Sequence, residues 1–365
     1  MRSDPGSRAR TRTGLRRAAR TAIIATGVTA AAAGVGVAGE RYLIRRARSR
    51  PDSQRGEPLG ERPGSERRIV SFDGTELAVN VVGPEAATTM LFVHGFSADM
   101  TVWHYQWKRF SEDHRCVLFD QRGHGRSGPA AGGDYSLQAL GRDLKSVLDA
   151  EAPTGPVVLM GHSMGGMCIL ALADEFPEEF GTRISAVVLA NTAAADLVRA
   201  VLGGLGIHAG TLLTRGARRL LANRDRAYRI RARALAGRGD LAFLLARATN
   251  FGPSAPPSMV EYVTRLAARA PVEVWTDLVG SLIDMDLGDA LENITCPALV
   301  IVGDVDRLTP PSSALALKRR LPDARMVVLK GSGHCSLLER HAQFNEAIER
   351  FIHQALERRP HRAPA

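Results

Sequence analysis

From Arg67 onward the chain alternates short apolar runs with longer amphipathic stretches. The apolar runs predict strands at 68–72, 76–82, 89–93, 115–119, 156–160, 185–190, 298–302 and 325–329. Several are unbroken runs of Val, Leu and Ile, which is typical of strands covered by helices on both faces of a sheet. Helical periodicity follows the later strands, at 101–111, 136–150, 164–176, 312–321 and 337–358. This alternation predicts an α/β fold with a mostly parallel, doubly wound sheet of eight strands.

Two features modify this picture. Asp73-Gly74 is a hairpin signal between the first two strands, so the sheet is expected to open antiparallel. Between Ala190 and Ala298, roughly a hundred residues contain no good strand, and Leu, Val and Ala instead recur every three to four residues. The predicted domains are a leader and linker at 1–66, a core at 67–191 and 286–358, a helical cap at 192–285 and a tail at 359–365.

The net charge of +10 is concentrated at the start of the chain. Residues 1–66 contain fourteen Arg and six acidic residues, which account for eight of the ten net positive charges. Residues 67–365 are therefore close to neutral. Neither part contains an RNA- or DNA-binding motif, so no nucleic-acid partner is expected.

The leader contains an uncharged stretch at 21–39, with Arg residues on both sides. It is just long enough for a membrane anchor, although it is rich in Ala and Gly and lacks Leu and Phe. It also fits a cleaved signal peptide, with small residues near Val37 and Gly39, or a leader without a specific role. We expect a membrane-anchored or exported protein, with membrane association through 21–39 and its orientation left open by the Arg flanks. The Pro- and Gly-rich residues 50–66 predict a linker.

The four cysteines, Cys116, Cys168, Cys296 and Cys335, are far apart and lack the spacing of a metal or redox motif. The chain also contains no metal-ligand cluster and no phosphate-binding glycine loop. Neither a metal nor a cofactor is therefore expected.

The sharpest motif is Gly161-His162-Ser163-Met164-Gly165, directly between an apolar strand and an apolar helical run. A serine hydroxyl is a weak nucleophile, which must be held away from its backbone and close to a base. An abrupt strand-to-helix turn achieves this, and glycines two positions before and after the serine, Gly161 and Gly165, leave room for it. The helix also directs its positive end toward developing negative charge. Ser163 is therefore the candidate nucleophile.

Two further motifs accompany this turn. Residues 91–96 are LFVHGF after the third predicted strand, and residues 120–127 are DQRGHGRS. With the serine motif, in this order and spacing, residues 67–357 resemble the α/β-hydrolase superfamily. The motifs are most similar to those of esterases, monoacylglycerol lipases and haloperoxidase-like members with a helical cap. The resemblance implies a serine hydrolase with the nucleophile, an acid and a histidine in that chain order.

The histidine of this order is His334, in the glycine-rich segment that follows the last predicted strand. Asp304 and Asp306 both follow the preceding strand, and chemistry alone allows either as the acid. The resemblance selects Asp306, whose role would be to accept the imidazole N–H and stabilise the imidazolium. The oxyanion donors implied are the backbone N–H groups of Phe96 and Met164.

These residues predict hydrolysis of a carboxylic ester through an acyl-Ser163 intermediate, with water activated by His334. Apolar side chains of the cap favour a hydrophobic or lipid-like substrate, unless they only pack the cap itself: Leu202, Leu205, Ile207, Leu212, Leu213, Phe243 and Leu244. The same three residues would serve thioester, amide or carbon–carbon bond hydrolysis, acyl transfer or cofactor-free haloperoxidase activity. An epoxide hydrolase or haloalkane dehalogenase would need Asp in place of Ser163. A non-catalytic ligand receptor is an alternative from another class.

Overall fold

The computed structural model describes residues 42, 44–85, 87–197 and 239–357. The chain divides into two units, Met1–Pro51 and Asp52–Ala365. In the first unit, residues 44–48 are helical. The second unit contains the sheet and all of the predicted catalytic residues.

The second unit is built on one sheet of eight strands. They are β1 (Ser65–Val70), β2 (Glu76–Val82), β3 (Thr89–Val93), β4 (Arg115–Phe119), β5 (Val157–His162), β6 (Ile184–Ala190), β7 (Ala298–Gly303) and β8 (Ala324–Leu329), in the spatial order β1-β2-β4-β3-β5-β6-β7-β8. Strand β2 runs antiparallel to both of its neighbours, and all other pairs are parallel. Gly74, in the predicted hairpin turn, has a φ of 89°, which glycine adopts without strain. The predicted eight-stranded, mostly parallel sheet is confirmed.

Helices cover the sheet, as the buried central strands require. They are α1 (His104–Phe110), α2 (Leu137–Glu151), α3 (Met164–Glu175), α4 (Gly239–Asn250), α5 (Pro257–Arg269), α6 (Val272–Ile283), α7 (Pro311–Arg320), α8 (Ser336–Glu339) and α9 (His341–Glu357). Every residue of β3, β4, β5, β6 and β7 is buried, as in a sheet covered on both faces. Helix α2 begins at a Ser136 cap, whose side chain accepts a hydrogen bond from Ala139 N–H at 3.2 Å.

Helices α4, α5 and α6 belong to the stretch that the sequence assigns to a cap. Residues 198–238 of that stretch lie outside the described residues, and with them five of the seven apolar cap residues named from the sequence: Leu202, Leu205, Ile207, Leu212 and Leu213. The extent of the cap therefore stays a prediction.

Residues 52–63, which we call the N-terminal strap, lie against the core although the sequence predicts a linker there. Its polar side chains contact α5 through Asp52, α1 through Glu57 and the DQRGHGRS loop through Arg62. These contacts are ion pairs and hydrogen bonds. The spacing of apolar residues does not predict such contacts, because it reflects only which apolar side chains are buried.

The membrane prediction is corrected. Within the described parts of the chain, no helix combines the length and the apolar character that a membrane crossing demands. This finding contradicts the predicted transmembrane helix, and with it the expected membrane-anchored or exported location. The predicted segment itself, 21–39, lies outside the described residues. Its composition gives the physical reason for the error, because Ala and Gly contribute far less to membrane insertion than Leu, Ile or Phe.

Candidate active site

Ser163 occupies the sharp turn between β5 and α3, with φ 54° and ψ −121°. Such a backbone conformation is rare for a residue with a side chain and stores strain, which proteins concentrate at functional sites. Neighbouring elements hold it on both sides. The Ser163 N–H donates to Ala190 O at 2.9 Å, and its carbonyl oxygen accepts from Thr192 Oγ1 at 2.7 Å.

The glycines on either side of Ser163 are required sterically. A Cβ at Gly165 would lie 2.1 Å from the carbonyl oxygen of Val93, in the neighbouring strand β3. A Cβ at Gly161 would lie 2.5 Å from the backbone nitrogen of Gly166. Both distances are shorter than any normal contact, so only glycine allows the strand and helix to approach this closely.

His334 and Asp306 are in direct contact. The ring Nδ1 of His334 lies 2.9 Å from Asp306 Oδ2, and both side chains are buried. The same oxygen accepts hydrogen bonds from Thr309 Oγ1 and Asn191 Nδ2, each at 2.8 Å. The other oxygen, Oδ1, accepts from the backbone N–H groups of Leu308 at 2.8 Å and Thr309 at 3.0 Å.

These contacts decide the protonation of the acid. Burial alone raises the pKa of Asp306, but the charge of His334 and the hydrogen bonds from His334, Asn191 and Thr309 outweigh it. Together they hold the pKa of Asp306 well below its usual range. The carboxylate is therefore ionised at neutral pH and can accept the imidazole N–H.

Asp304, the other aspartate that the sequence left open, has a different partner. Its Oδ1 accepts a hydrogen bond from the backbone N–H of Gly331 at 2.7 Å. Its carboxylate therefore braces the loop that carries His334. Of the two aspartates, Asp306 is the one that contacts the His334 ring.

Asn191 is a site residue that the sequence analysis missed. It follows β6 with a φ of 47° and donates from Nδ2 to Asp306 Oδ2 and to the carbonyl oxygen of Gly333. Its Oδ1 accepts a hydrogen bond from Ser336 Oγ. The signal was present, because Asn191 is a polar residue immediately after a fully buried strand, at the edge of the sheet where the other site residues lie.

His162 contacts the backbone and the ring of His334. Its Nε2 donates to the backbone carbonyl of His334 at 2.9 Å, and the two ring centroids are 4.9 Å apart. Burial and the nearby charge of His334 lower the pKa of His162 to about 3. His162 is therefore neutral and positions the His334 backbone without adding a charge.

The segment that carries the Phe96 N–H is clamped to the DQRGHGRS loop. Gln121 N–H donates to His94 Nε2 at 3.0 Å, so the proton of this imidazole resides on Nδ1, which donates to Gly95 O at 2.8 Å. Burial lowers the pKa of His94 to about 4, which keeps the ring neutral. The Gln121 side chain completes the clamp. Its Nε2 donates to His94 O at 2.5 Å, and its Oε1 accepts from Cys168 Sγ on α3 at 2.9 Å.

The two candidate oxyanion donors remain available. In the described chain segments, neither the N–H of Phe96 nor that of Met164 donates to a backbone carbonyl. Met164 is the first residue of α3, and an N–H in the first turn of a helix has no intrahelical partner. Both groups can therefore donate to a ligand.

Ser163 and His334 line one cavity of about 540 Å³. Gly95 and Phe96 contribute one wall of this cavity. Helices α4, α5 and α6 add mostly apolar side chains: Ala242, Leu245, Ala246, Val263, Leu266, Ala267, Trp275 and Leu282. Phe243, which the sequence assigns either to substrate contact or to packing of the cap, is buried in the protein interior and does not line this cavity. We call this space the nucleophile cavity. Among the described residues, no group of three or more His, Cys, Asp or Glu side chains is arranged to hold a metal ion.

Known proteins share this architecture. A family model for the alpha/beta hydrolase fold matches residues 88–341. The 3-oxoadipate enol-lactonase 2 of Acinetobacter baylyi is 26% identical over 264 residues, which cover 71% of this chain and 86% of that protein. A pimeloyl-(acyl-carrier protein) methyl ester esterase of Aeromonas salmonicida is 27% identical over 266 residues, covering 72% of this chain and 94% of that protein.

Solved structures agree with these matches. A thermophilic esterase from Thermogutta terrifontis superposes with a TM-score of 0.64 at 25% identity, covering 80% of this chain and 99% of that chain. A bromoperoxidase from Bacillus anthracis superposes with a TM-score of 0.63 at 21% identity, covering 79% of this chain and 100% of that chain. At that lower identity the likeness concerns the fold alone.

Proposed function

This chain is a hydrolase of the α/β-hydrolase fold family, and we propose that it cleaves carboxylic esters of hydrophobic acids through an acyl intermediate on Ser163. One observation carries the proposal. The strained Ser163 and the His334 ring line the same cavity, while the other side of that ring contacts the ionised Asp306. This is the arrangement that turns a serine hydroxyl into a nucleophile.

In the first half of the reaction, Ser163 Oγ attacks the ester carbonyl carbon and His334 Nε2 takes the hydroxyl proton. Asp306 stabilises the imidazolium through Nδ1. The carbonyl oxygen becomes an oxyanion, which accepts hydrogen bonds from the N–H groups of Phe96 and Met164. When the tetrahedral intermediate collapses, the carbon–oxygen bond to the alcohol breaks and the alcohol leaves with the proton from His334.

In the second half, water replaces the alcohol. His334 removes a proton from the water as it attacks the acyl carbon, and the same two N–H groups stabilise the second oxyanion. Collapse breaks the bond to Ser163 Oγ, which recovers its proton from His334, and the carboxylic acid is released. All protons pass through one imidazole, so no cofactor is required.

The wall of the nucleophile cavity supports a hydrophobic acyl group. The side chains that α4, α5 and α6 contribute include Leu245, Val263, Leu266, Trp275 and Leu282. Burying the methylene groups of an acyl chain against such a wall contributes about 0.8 kcal/mol for each fully buried methylene. Affinity should therefore increase with acyl length until the cavity is full.

The proposal is tested with p-nitrophenyl esters of increasing acyl length, alongside a thioester and an amide of the best acyl group. We expect the ester to be the best substrate, with kcat/KM highest at a medium chain length. A faster thioester or amide would reassign the reaction class. Labelling of Ser163 by a fluorophosphonate distinguishes an enzyme from a ligand receptor, because a receptor without an activated serine stays unlabelled.

A further inference from the structure

A second cavity, of about 710 Å³, lies beside the nucleophile cavity. The two share Ala98 and Leu266 as wall residues. The N-terminal strap contributes Gly60 and Arg62 to its wall. The remainder of the wall comes from residues 98–101 and 123–129, from Tyr135, and from the end of α5 and the start of α6. We call this space the strap cavity.

The charged side chains of the strap cavity differ sharply from the apolar wall of its neighbour. Three are guanidinium groups, from Arg62, Arg126 and Arg269, and one is a carboxylate, from Asp99. His124 also lies in the wall, but burial and the neighbouring His94 lower its pKa to about 4, so it is neutral.

Two of these cations already have carboxylate partners. Arg126 pairs with Glu66, and Arg62 Nη2 lies 2.8 Å from Asp120 Oδ2 and 4.0 Å from Asp99 Oδ2. Arg269, at the end of α5, is exposed and has no carboxylate partner within the ranges that the structure describes. It is therefore the cation whose charge is not compensated.

Arg62 contributes another guanidinium to the same wall. Its Nη1 is buried, yet it has no hydrogen-bond acceptor among the described residues. Because Nη1 is closed to solvent, Arg62 acts on a ligand in the strap cavity through its charge and not through this nitrogen.

We infer that the strap cavity binds a carboxylate of the substrate, at a position remote from the ester, through the guanidinium of Arg269, with the charge of Arg62 in the same wall. A planar guanidinium presents its N–H groups in a fork that matches the two oxygens of a carboxylate. The wall shared at Ala98 and Leu266 places this subsite next to the acyl-binding space, and a substrate bearing both groups would span the two cavities. The inference rests on the proposed ester hydrolysis and adds a selectivity that this proposal does not contain.

The test compares methyl esters with a terminal carboxylate with methyl esters of the same length that end in a methyl group, over a series of lengths. We expect kcat/KM for the carboxylate ester to exceed that for its neutral partner by about tenfold at the best length. Arg269→Gln should remove this preference, bringing kcat/KM for the carboxylate ester down to that for its neutral partner.

Arg265→Gln is the matched control, because Arg265 lies on the same helix one turn earlier, is exposed, and is not part of the cavity wall. It changes the net charge equally and should keep the preference. Equal kcat/KM for the two ester series, a preference that survives Arg269→Gln, or an equal loss in Arg265→Gln would each overturn the inference. Failure of the ester proposal is distinct, since neutral esters would then not be hydrolysed at all.

Discussion

Asn191 donates a hydrogen bond of 2.8 Å to Oδ2 of Asp306, the same oxygen that contacts the His334 ring. The carboxylate is thus fixed by a neutral amide on one side and by the imidazole on the other. Replacing the amide nitrogen by oxygen would place two carboxylates in contact, and two carboxylates at such a distance must share a proton.

The first prediction therefore concerns Asn191→Asp. One carboxyl group of the new pair should hold a proton at neutral pH, and the acidic limb of the kcat/KM profile should move to higher pH. Asn191→Ala should also lower kcat, because it removes a hydrogen bond to Asp306. It adds no charge, so the acidic limb of its kcat/KM profile should shift less than that of Asn191→Asp. Identical pH profiles for the two variants would contradict a role for Asn191 beside Asp306.

The two candidate acids make a paired test. Asp306→Asn should lower kcat by about 10⁴-fold, since the amide cannot stabilise the imidazolium and selects the wrong tautomer. Asp304→Asn should leave most of the activity, because its contact is with the backbone of Gly331. Steady-state kinetics of both variants give kcat for each. A larger loss of kcat in Asp304→Asn would make Asp304, and not Asp306, the acid of the site.

The strain at Ser163 predicts an order of stability. Ser163→Ala and Ser163→Gly should both abolish ester hydrolysis and fluorophosphonate labelling. Glycine adopts the positive φ freely, whereas alanine retains the strain, which is of order 1–3 kcal/mol. Thermal unfolding should therefore give a higher Tm for Ser163→Gly than for Ser163→Ala, although glycine has the more flexible unfolded chain. A clearly lower Tm for the glycine variant would show that the turn stores little strain.

Glu339 predicts a pH-dependent stability. Its carboxylate accepts hydrogen bonds from Gly252 N–H and Gly333 N–H, each at 2.7 Å, and so joins the segment after α4 to the His334 loop. Burial raises the pKa of Glu339 from 4.5 to about 7, despite these hydrogen bonds. Between pH 4.5 and about 7 the folded state therefore holds a proton that the unfolded state has released.

The sign follows from this proton. The contribution of Glu339 to the free energy of unfolding is greatest below pH 4.5 and falls as the pH rises to about 7. Glu339→Gln removes this titration, so the stability difference between wild type and variant should change across pH 5 to 7 and level off above. Chemical denaturation of both proteins across this range measures it. A constant difference would refute the raised pKa.

The N-terminal strap predicts different effects for two truncations. Removal of residues 1–51 retains the whole compact unit and should leave its stability and activity intact. Removal of residues 1–63 also deletes Arg62 and leaves Asp120 buried without its partner, which is destabilising by about 3–5 kcal/mol. Urea denaturation of the two proteins provides the comparison, and equal midpoints would show that the strap contributes nothing.

The fold was predictable because its signals are local. Buried strands such as β3 and β4 are continuous apolar runs, and the predicted limits, 89–93 and 115–119, agree with those observed. The turn around Ser163 was equally visible, since its steric demand for glycine is met within five consecutive residues.

What the sequence did not reveal depends on contacts between distant residues. Asn191 meets Asp306 only because β6 and β7 are neighbours in the sheet. The strap has the composition of a linker, and its contacts are invisible in the sequence because they are polar and reach across the fold, as between Arg62 and Asp120. The leader is a different case, because its absence of charge favours a membrane anchor whereas the small apolar surface of Ala and Gly opposes one.

The link from His94 through Gln121 to Cys168 has a consequence for redesign of this enzyme. Phe96 and Met164 are far apart in the sequence, yet this chain of contacts joins the segment of the first to the helix that begins with the second. The spacing of the two N–H groups is thus set in the protein interior, away from any side chain that meets a substrate. Residues of the outer pocket can consequently be exchanged to accept new acids or alcohols. Substitutions at Gln121 or Cys168 would instead lower kcat for every substrate alike.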